Sequence, residues 1–184
     1  MEWIQGLDHD ILLYIAQHVR QDWLTPIVTL ITSLGNAGAI WLVLALVLVI
    51  RPRTRRCGIA MLLALLLGLL VGNLAIKNIV ARPRPFRTYT DIIPLVSPGD
   101  LYSFPSGHTL SSFCAATACF GFYKKPGIAC GVLAVLIGLS RLYVGVHYPT
   151  DVLCGALLGI VLGWISVWIV NQIGDQMHFR RMKY

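Results

Sequence analysis

Charge is what this chain lacks most. Its 184 residues include 15 Lys and Arg and 8 Asp and Glu, together 12%, against roughly 25% in a soluble domain. The stretches 23–50, 57–76, 101–123, 126–140 and 152–174 contain no Asp, Glu, Lys or Arg. That excludes a water-facing surface over most of the chain. A basic leader is also missing: Glu2, Asp8 and Asp10 stand where a secretory signal would carry positive charge, so the first crossing is expected to direct insertion and stay. The five cysteines form no C-x-x-C pair and read as small buried residues. No carboxylate cluster has metal-ligand spacing, so neither a metal nor another cofactor is expected. The net charge of +7 lies in short groups between apolar runs, which argues against nucleic acid as a partner.

Apolar length is what the chain has. A crossing needs about 20 mostly apolar residues. The pattern predicts an all-α fold, a polytopic membrane helical bundle forming one domain over 1–184. It has five clear spans plus an N-terminal interfacial helix, or six spans if 1–50 supplies two. Within 1–22, Ile4, Leu7, Ile11, Leu12, Ile15 and Val19 recur three and four apart among polar residues, an amphipathic helix lying at the interface with His9 and His18 at its surface. Asp22 would cap the next helix, with Pro26 in its first turn. Leu24 to Leu34 is too short to span, Gly35-Asn36-Ala37-Gly38 breaks it, and Ala39 to Ile50 continues the run. Further helices are expected over Cys57–Val80, Ser106–Tyr123, Ile128–Val144 and Pro149–Ile173. A polar-aromatic loop covers 86–104, a basic turn 124–127, and a basic tail follows His178.

The basic groups at 51–56, 124–125 and 180–183 fall on one side if the four helices from 57 onward each cross once. That side, with the C-terminus, is expected to be cytoplasmic. Lys77, Arg82, Arg84, Arg87 and Arg141 then lie at the extracytoplasmic end, where topology does not call for them. A charge near hydrocarbon costs about 2.5–3.5 kcal/mol, so an anion is their natural reason. Gly68-x-x-x-Gly72 and Gly155-x-x-x-Gly159-x-x-x-Gly163 suit close packing within the bundle or, as the alternative, a homodimer face.

Three polar islands sit at that end: Lys77 to Arg87, Pro105-Ser106-Gly107-His108, and Ser140 to Asp151. Two of them open helices, and a helix start offers free N–H groups and positive potential to an anion. Gly107 lets backbone approach a ligand, and Ser106 adds a donor. Lys77, Arg84 and Arg141 add fixed charge, with arginine forks suited to phosphate oxygens. Asp151, four residues after His147, can reach back to one ring nitrogen and leave the other free as a nucleophile. His108, one turn into its helix, can donate a proton to a leaving oxygen. These parts describe phosphoryl transfer to histidine followed by attack of water.

Lys77-x6-Arg84-Pro85, Pro105-Ser106-Gly107-His108 and Ser140-Arg141-x5-His147-x3-Asp151 closely resemble the three signature motifs of the type 2 phosphatidic acid phosphatase (PAP2) superfamily. The motifs span 77–151. The resemblance implies a bundle of usually six membrane helices and metal-independent dephosphorylation. It implies His147 as nucleophile, Asp151 as its partner, His108 as acid, and Lys77, Arg84, Ser106, Gly107 and Arg141 as phosphate ligands. Arg82-Pro83 repeats the Arg-Pro pair at the wrong spacing, and Arg82 is assigned an auxiliary substrate contact.

The expected substrate is a membrane lipid phosphate or diphosphate held at headgroup level. The resemblance suggests the undecaprenyl diphosphate, phosphatidylglycerophosphate or phosphatidate class, in a bacterial cytoplasmic membrane, with inhibition by vanadate. Phe86, Tyr89, Ile92, Ile93, Leu95, Val96, Tyr102 and Phe104 would either line the lipid's access path or pack on the helix ends. The competing class is a transporter or binding protein that holds an anion with the same cations. It would call for broken, polar segments at the bilayer midplane in repeated halves, and no such repeat is present.

Overall fold

The computed structural model of the chain describes residues 2–181, and all of its regular elements are helical. They are α1 (Glu2–Tyr14), α2 (Thr25–Leu34), α3 (Ala39–Ile50), α4 (Arg55–Leu67), α5 (Lys77–Val80), α6 (Pro85–Thr88), α7 (Gly107–Phe122), α8 (Lys124–Tyr143) and α9 (Pro149–Arg181). A wider π-helical turn over Gly68–Ile76 joins α4 to α5, so Arg55–Val80 is one helix of 26 residues. A second π segment, Ile15–Val19, extends α1.

Among the described residues, three helices are long and apolar enough to cross a membrane: Arg55–Val80, Lys124–Tyr143 and Pro149–Gln176. The pair Thr25–Leu34 and Asn36–Ile50, bent by 45° at its break, would make a fourth. The expected fifth is α7, only 16 residues long and carrying Ser111, Ser112, Thr109 and Thr117. Its surroundings explain the composition. α7 runs through the middle of the bundle, so its neighbours rather than lipid satisfy its polar groups. Trp41 Nε1 donates to Ser112 Oγ (2.8 Å), which donates to the His108 carbonyl (2.7 Å).

The core is built from small side chains around α7. Ala45 on α3, Ala60 and Ala64 on α4, Cys114, Ala115 and Ala118 on α7 and Ala134 on α8 are all fully buried. Small residues let helix backbones approach closely where lipid offers no hydrophobic drive. The glycine stripe of α9 belongs to this packing. A Cβ on Gly155 would stand 2.9 Å from the Ser106 carbonyl oxygen, and one on Gly159 2.8 Å from that of Leu110. This face is filled within the chain, which removes it as a dimer face. The opposite side of α9 exposes Leu153, Leu157, Val161 and Trp168.

Local details differ from expectation. Asp22 does not cap α2; the N-cap is Leu24, without a side-chain bond. α8 starts at Lys124, so the basic turn is its first turn, where Pro126 needs no amide hydrogen. α9 runs on to Arg181, and Met182, Lys183 and Tyr184 of the basic tail lie outside the described residues.

The amphipathic helix is present but is turned the other way from a soluble one. Trp3, Leu7 and Tyr14 face out, while Asp8 and Leu12 are buried, 1% and 2% exposed. Leu12 packs with Ile92, Leu142 and Tyr148. His9 is not a free surface residue: it stacks on Tyr89 at 4.2 Å and meets Asp91 at 2.9 Å. His18 stacks on Tyr14.

Candidate active site

Helix ends bring the polar islands together. α5 stops at Ala81, whose left-handed backbone (φ 47, ψ 35) ends the helix. Pro83 then keeps the helix from resuming, and Pro85, the first residue of α6, holds the residue before it extended. Arg84 sits at φ −73, ψ 154, polyproline geometry with three residues per turn, so side chains two apart diverge by about 120°. Arg84 and Arg82 accordingly point to different places.

Arg84 points inward and is 1% exposed. Its Nη1 donates to the Val146 carbonyl (2.7 Å) and lies 3.4 Å from His147 Nε2. A guanidinium only donates, so Nε2 faces it with its lone pair. Lys77, from the end of the long α4–α5 helix, is also buried, and both cations bond the carboxylate of Asp100. Arg141, in the last turn of α8, donates to Thr32 Oγ1 at 2.6 Å. Its Nε has no partner.

His147 lies in the short connection between α8 and α9 and is 1% exposed. Burial, then the charges of Arg141, Arg84 and Lys77, hold its pKa well below the usual 6.5, so the ring is neutral. Its Nδ1 is 3.5 Å from Asp151 Oδ2 and has no hydrogen-bond partner, longer than a formed bond. Catalytic contacts often tighten only around substrate.

His108, in the first turn of α7, meets Asn36 Oδ1 with Nε2 at 3.0 Å. An amide oxygen accepts, which puts the proton of this pair on Nε2. Asn36 comes from the break between α2 and α3. Ser106 precedes α7; its Oγ accepts from Thr109 (2.9 Å) and its backbone N–H donates to the Asp151 carbonyl (3.1 Å). Gly107 abuts Asn73, where a Cβ would stand 2.9 Å from Oδ1, an atom without a partner.

Lys77, Arg84, Arg141, Gly107, His108 and His147 line one cavity of about 850 Å³. Ser106, Asp151 and Arg82 do not. Ser106 and Asp151 stand just behind the wall, and Arg82 turns to the far side of Asp151. The apolar wall is another departure. Of the loop residues proposed for lipid access, only Val96 lines this cavity; Leu42, Leu62, Leu65, Leu66, Leu69 and Leu110 line it from α3, α4, the π turn and α7. Ile92 packs under α1 instead, and Phe86 packs against the Tyr143–Val146 turn.

Sequence reasoning missed Asp8, Asn36, Asn73 and Asp100. Asn36 carried a signal, a polar residue between two glycines inside an apolar run, but it reads equally as a plain break. The others are single polar residues whose partners lie far along the chain.

Residues 57–175 match the PAP2 superfamily. The chain belongs to that superfamily. It is 34% identical over 131 residues to an undecaprenyl-diphosphatase of Sulfolobus acidocaldarius, covering 71% of this chain and 63% of that protein. It is 36% identical over 160 residues to phosphatidylglycerophosphatase B of Bacillus subtilis, covering 78% of this chain and 74% of that one. The crystal structure of a transmembrane PAP2-type phosphatidylglycerolphosphate phosphatase from Bacillus subtilis superposes with a TM-score of 0.74 at 30% identity. That likeness covers 96% of this chain and 88% of the other. The PAP2 fold of this chain is thus the fold of a membrane phosphatase.

Proposed function

We propose that this PAP2 chain is an integral membrane phosphatase that removes the terminal phosphate of a lipid phosphate or diphosphate. The observation that carries the reading is the cavity's composition. Both imidazoles and three cations line it, and so do several leucines. That suits a substrate with an anionic head and an apolar tail. The named relatives support the undecaprenyl diphosphate and phosphatidylglycerophosphate classes, with phosphatidate as a further candidate.

His147 Nε2 attacks phosphorus while the bond from phosphorus to the leaving oxygen breaks. His108, charged as an imidazolium beside the bound phosphate, gives its Nε2 proton to that oxygen and is left neutral. His147 keeps the proton on Nδ1, and Asp151 faces the charge that develops on the ring. Lys77, Arg84 and Arg141 stabilise the equatorial oxygens, and N–H groups at the start of α7 add to them. Water then attacks the phosphohistidine, His108 takes its proton, and inorganic phosphate leaves. No metal takes part in this scheme. The basic loops support a site on the extracytoplasmic side of a bacterial cytoplasmic membrane, with the C-terminus inside.

Purified protein in detergent and EDTA should release inorganic phosphate from farnesyl diphosphate, and His147→Ala should lose that release by at least a thousandfold. A protein that binds the lipid but releases nothing would be a carrier. Release that survives His147→Ala would remove the nucleophile assignment.

A further inference from the structure

Arg82 stands between two buried carboxylates. Its Nη1 donates to Asp151 Oδ1 (2.8 Å) and to Thr150 Oγ1 (2.7 Å), and its Nη2 donates to Asp8 Oδ2 (2.7 Å). The guanidinium lies over the Tyr148 ring, 3.8 Å from its centre. Asp8 is 1% exposed and Asp151 is 0% exposed. Asp8 Oδ1 also accepts from the Thr150 backbone N–H at 3.0 Å. That amide is in the first turn of α9, so Asp8 caps α9 from a different helix, 142 residues away in sequence. Asp151 closes the same turn, its Oδ2 accepting from the Tyr148 N–H at 2.9 Å.

We propose that Asp8 and Arg82 are positioning residues for the nucleophile, with Arg82 acting through Asp151 and Asp8 acting through Arg82 and Thr150. The inference rests on His147 being that nucleophile. Asp151 faces His147 with Oδ2 at 3.5 Å, while Arg82 grips Oδ1 and the Tyr148 N–H holds Oδ2. A carboxylate held at both oxygens keeps one direction, toward which the imidazole can close when substrate binds. Asp8 holds the guanidinium from behind and pins the turn of α9 that carries Asp151. Two carboxylates and one guanidinium leave net negative charge behind the ring, where phosphorylation of Nε2 makes the ring positive. Arg82 does not line the cavity, so this role replaces the substrate contact expected from its sequence position.

The test uses the full chain in detergent with farnesyl diphosphate and compares Asp8→Asn, Arg82→Lys and Arg82→Gln. We expect kcat to fall about ten- to a hundredfold in Asp8→Asn and Arg82→Gln, and less in Arg82→Lys, which keeps the charge and loses the fork. KM should stay within about twofold, and rapid-quench trapping should show slower phosphorylation of His147. Asp8→Asn combined with Arg82→Gln should cost little more than Arg82→Gln alone, because both act on one network. A raised KM with unchanged kcat in the Arg82 variants would return Arg82 to substrate binding. An unchanged kcat in Asp8→Asn would remove Asp8 from the network. If Arg82→Gln does not fold, Arg82→Lys and Asp8→Asn decide. Lost turnover in His147→Ala beside normal turnover in these variants would sink this inference and keep the phosphatase reading.

Discussion

Arg84 holds Asp100 twice, through the carboxylate by Nη2 and through the main-chain carbonyl by Nε at 3.0 Å. Lys77 takes the other carboxylate oxygen. Burial would raise the pKa of Asp100, but its bonds to Lys77 and Arg84 outweigh that and hold it below the ordinary carboxylate range. A carboxylate thus sits on two of the cations that a phosphoryl group would need. Asp100→Asn should free them, lowering KM and the vanadate inhibition constant by about tenfold, the equivalent of roughly 1.4 kcal/mol. Steady-state inhibition curves check this, and a rise in both constants would show Asp100 to be a support rather than a competitor.

The neutral state of His147 makes a pH prediction with a definite sign. Its folded pKa lies below the unfolded value of about 6.5. Below that pH the unfolded chain takes up a proton that the folded chain refuses. Stability from this group is therefore complete above about pH 6.5 and falls, by up to about 1.4 kcal/mol per unit, as the pH drops below it. Thermal midpoints in detergent from pH 8 to 5 should fall more steeply in wild type than in His147→Gln. Parallel curves would contradict the burial of a neutral ring.

Asn36 holds the ring nitrogen that would protonate the leaving oxygen. Asn36→Ala should lower kcat about tenfold for an alkyl phosphate, whose leaving oxygen needs the proton, and much less for p-nitrophenyl phosphate. Equal losses on both substrates would show that Asn36 supports the fold and not the acid.

Two glycines of neighbouring helices offer a paired stability test. A Cβ on Gly155 would meet the Ser106 carbonyl oxygen at 2.9 Å, whereas nothing lies within 4 Å of one on Gly131. Gly155→Ala should cost about 1–3 kcal/mol by forcing α9 from α7. Gly131→Ala should be neutral or gain about 0.5–1 kcal/mol from the stiffer helix. Chemical denaturation of both variants checks the contrast.

Where a signal was local, it could be read from the sequence. The charge-free runs mark the helices, and Gly35 to Gly38 mark the break. The motif histidines and cations share one cavity because each lies at or next to a helix end, and those ends are set by Ala81, Pro83, Pro85 and Pro149. Where a role depends on a distant partner, the sequence is silent. Asp8 looks like one polar position on an amphipathic helix, since nothing in its neighbourhood names Arg82 or Thr150. Arg82 repeats a motif pair, and only the turn of the Pro-rich strap shows that it faces away from Arg84. The aromatic loop misleads in a different way. Its apolar residues satisfy packing on the bundle's end, while the leucines of the cavity wall are indistinguishable in sequence from those facing lipid. α7 reads as an ordinary crossing because composition does not reveal that protein surrounds it.

The cap that Asp8 places on the start of α9 joins a group made early in synthesis to one made late. While the ribosome is still adding residues before 150, that carboxylate has no amide to receive and Arg82 lacks its second anion. The contact therefore forms only once the start of α9 has been made, and it then ties α1 to a helix whose residues come more than a hundred positions later.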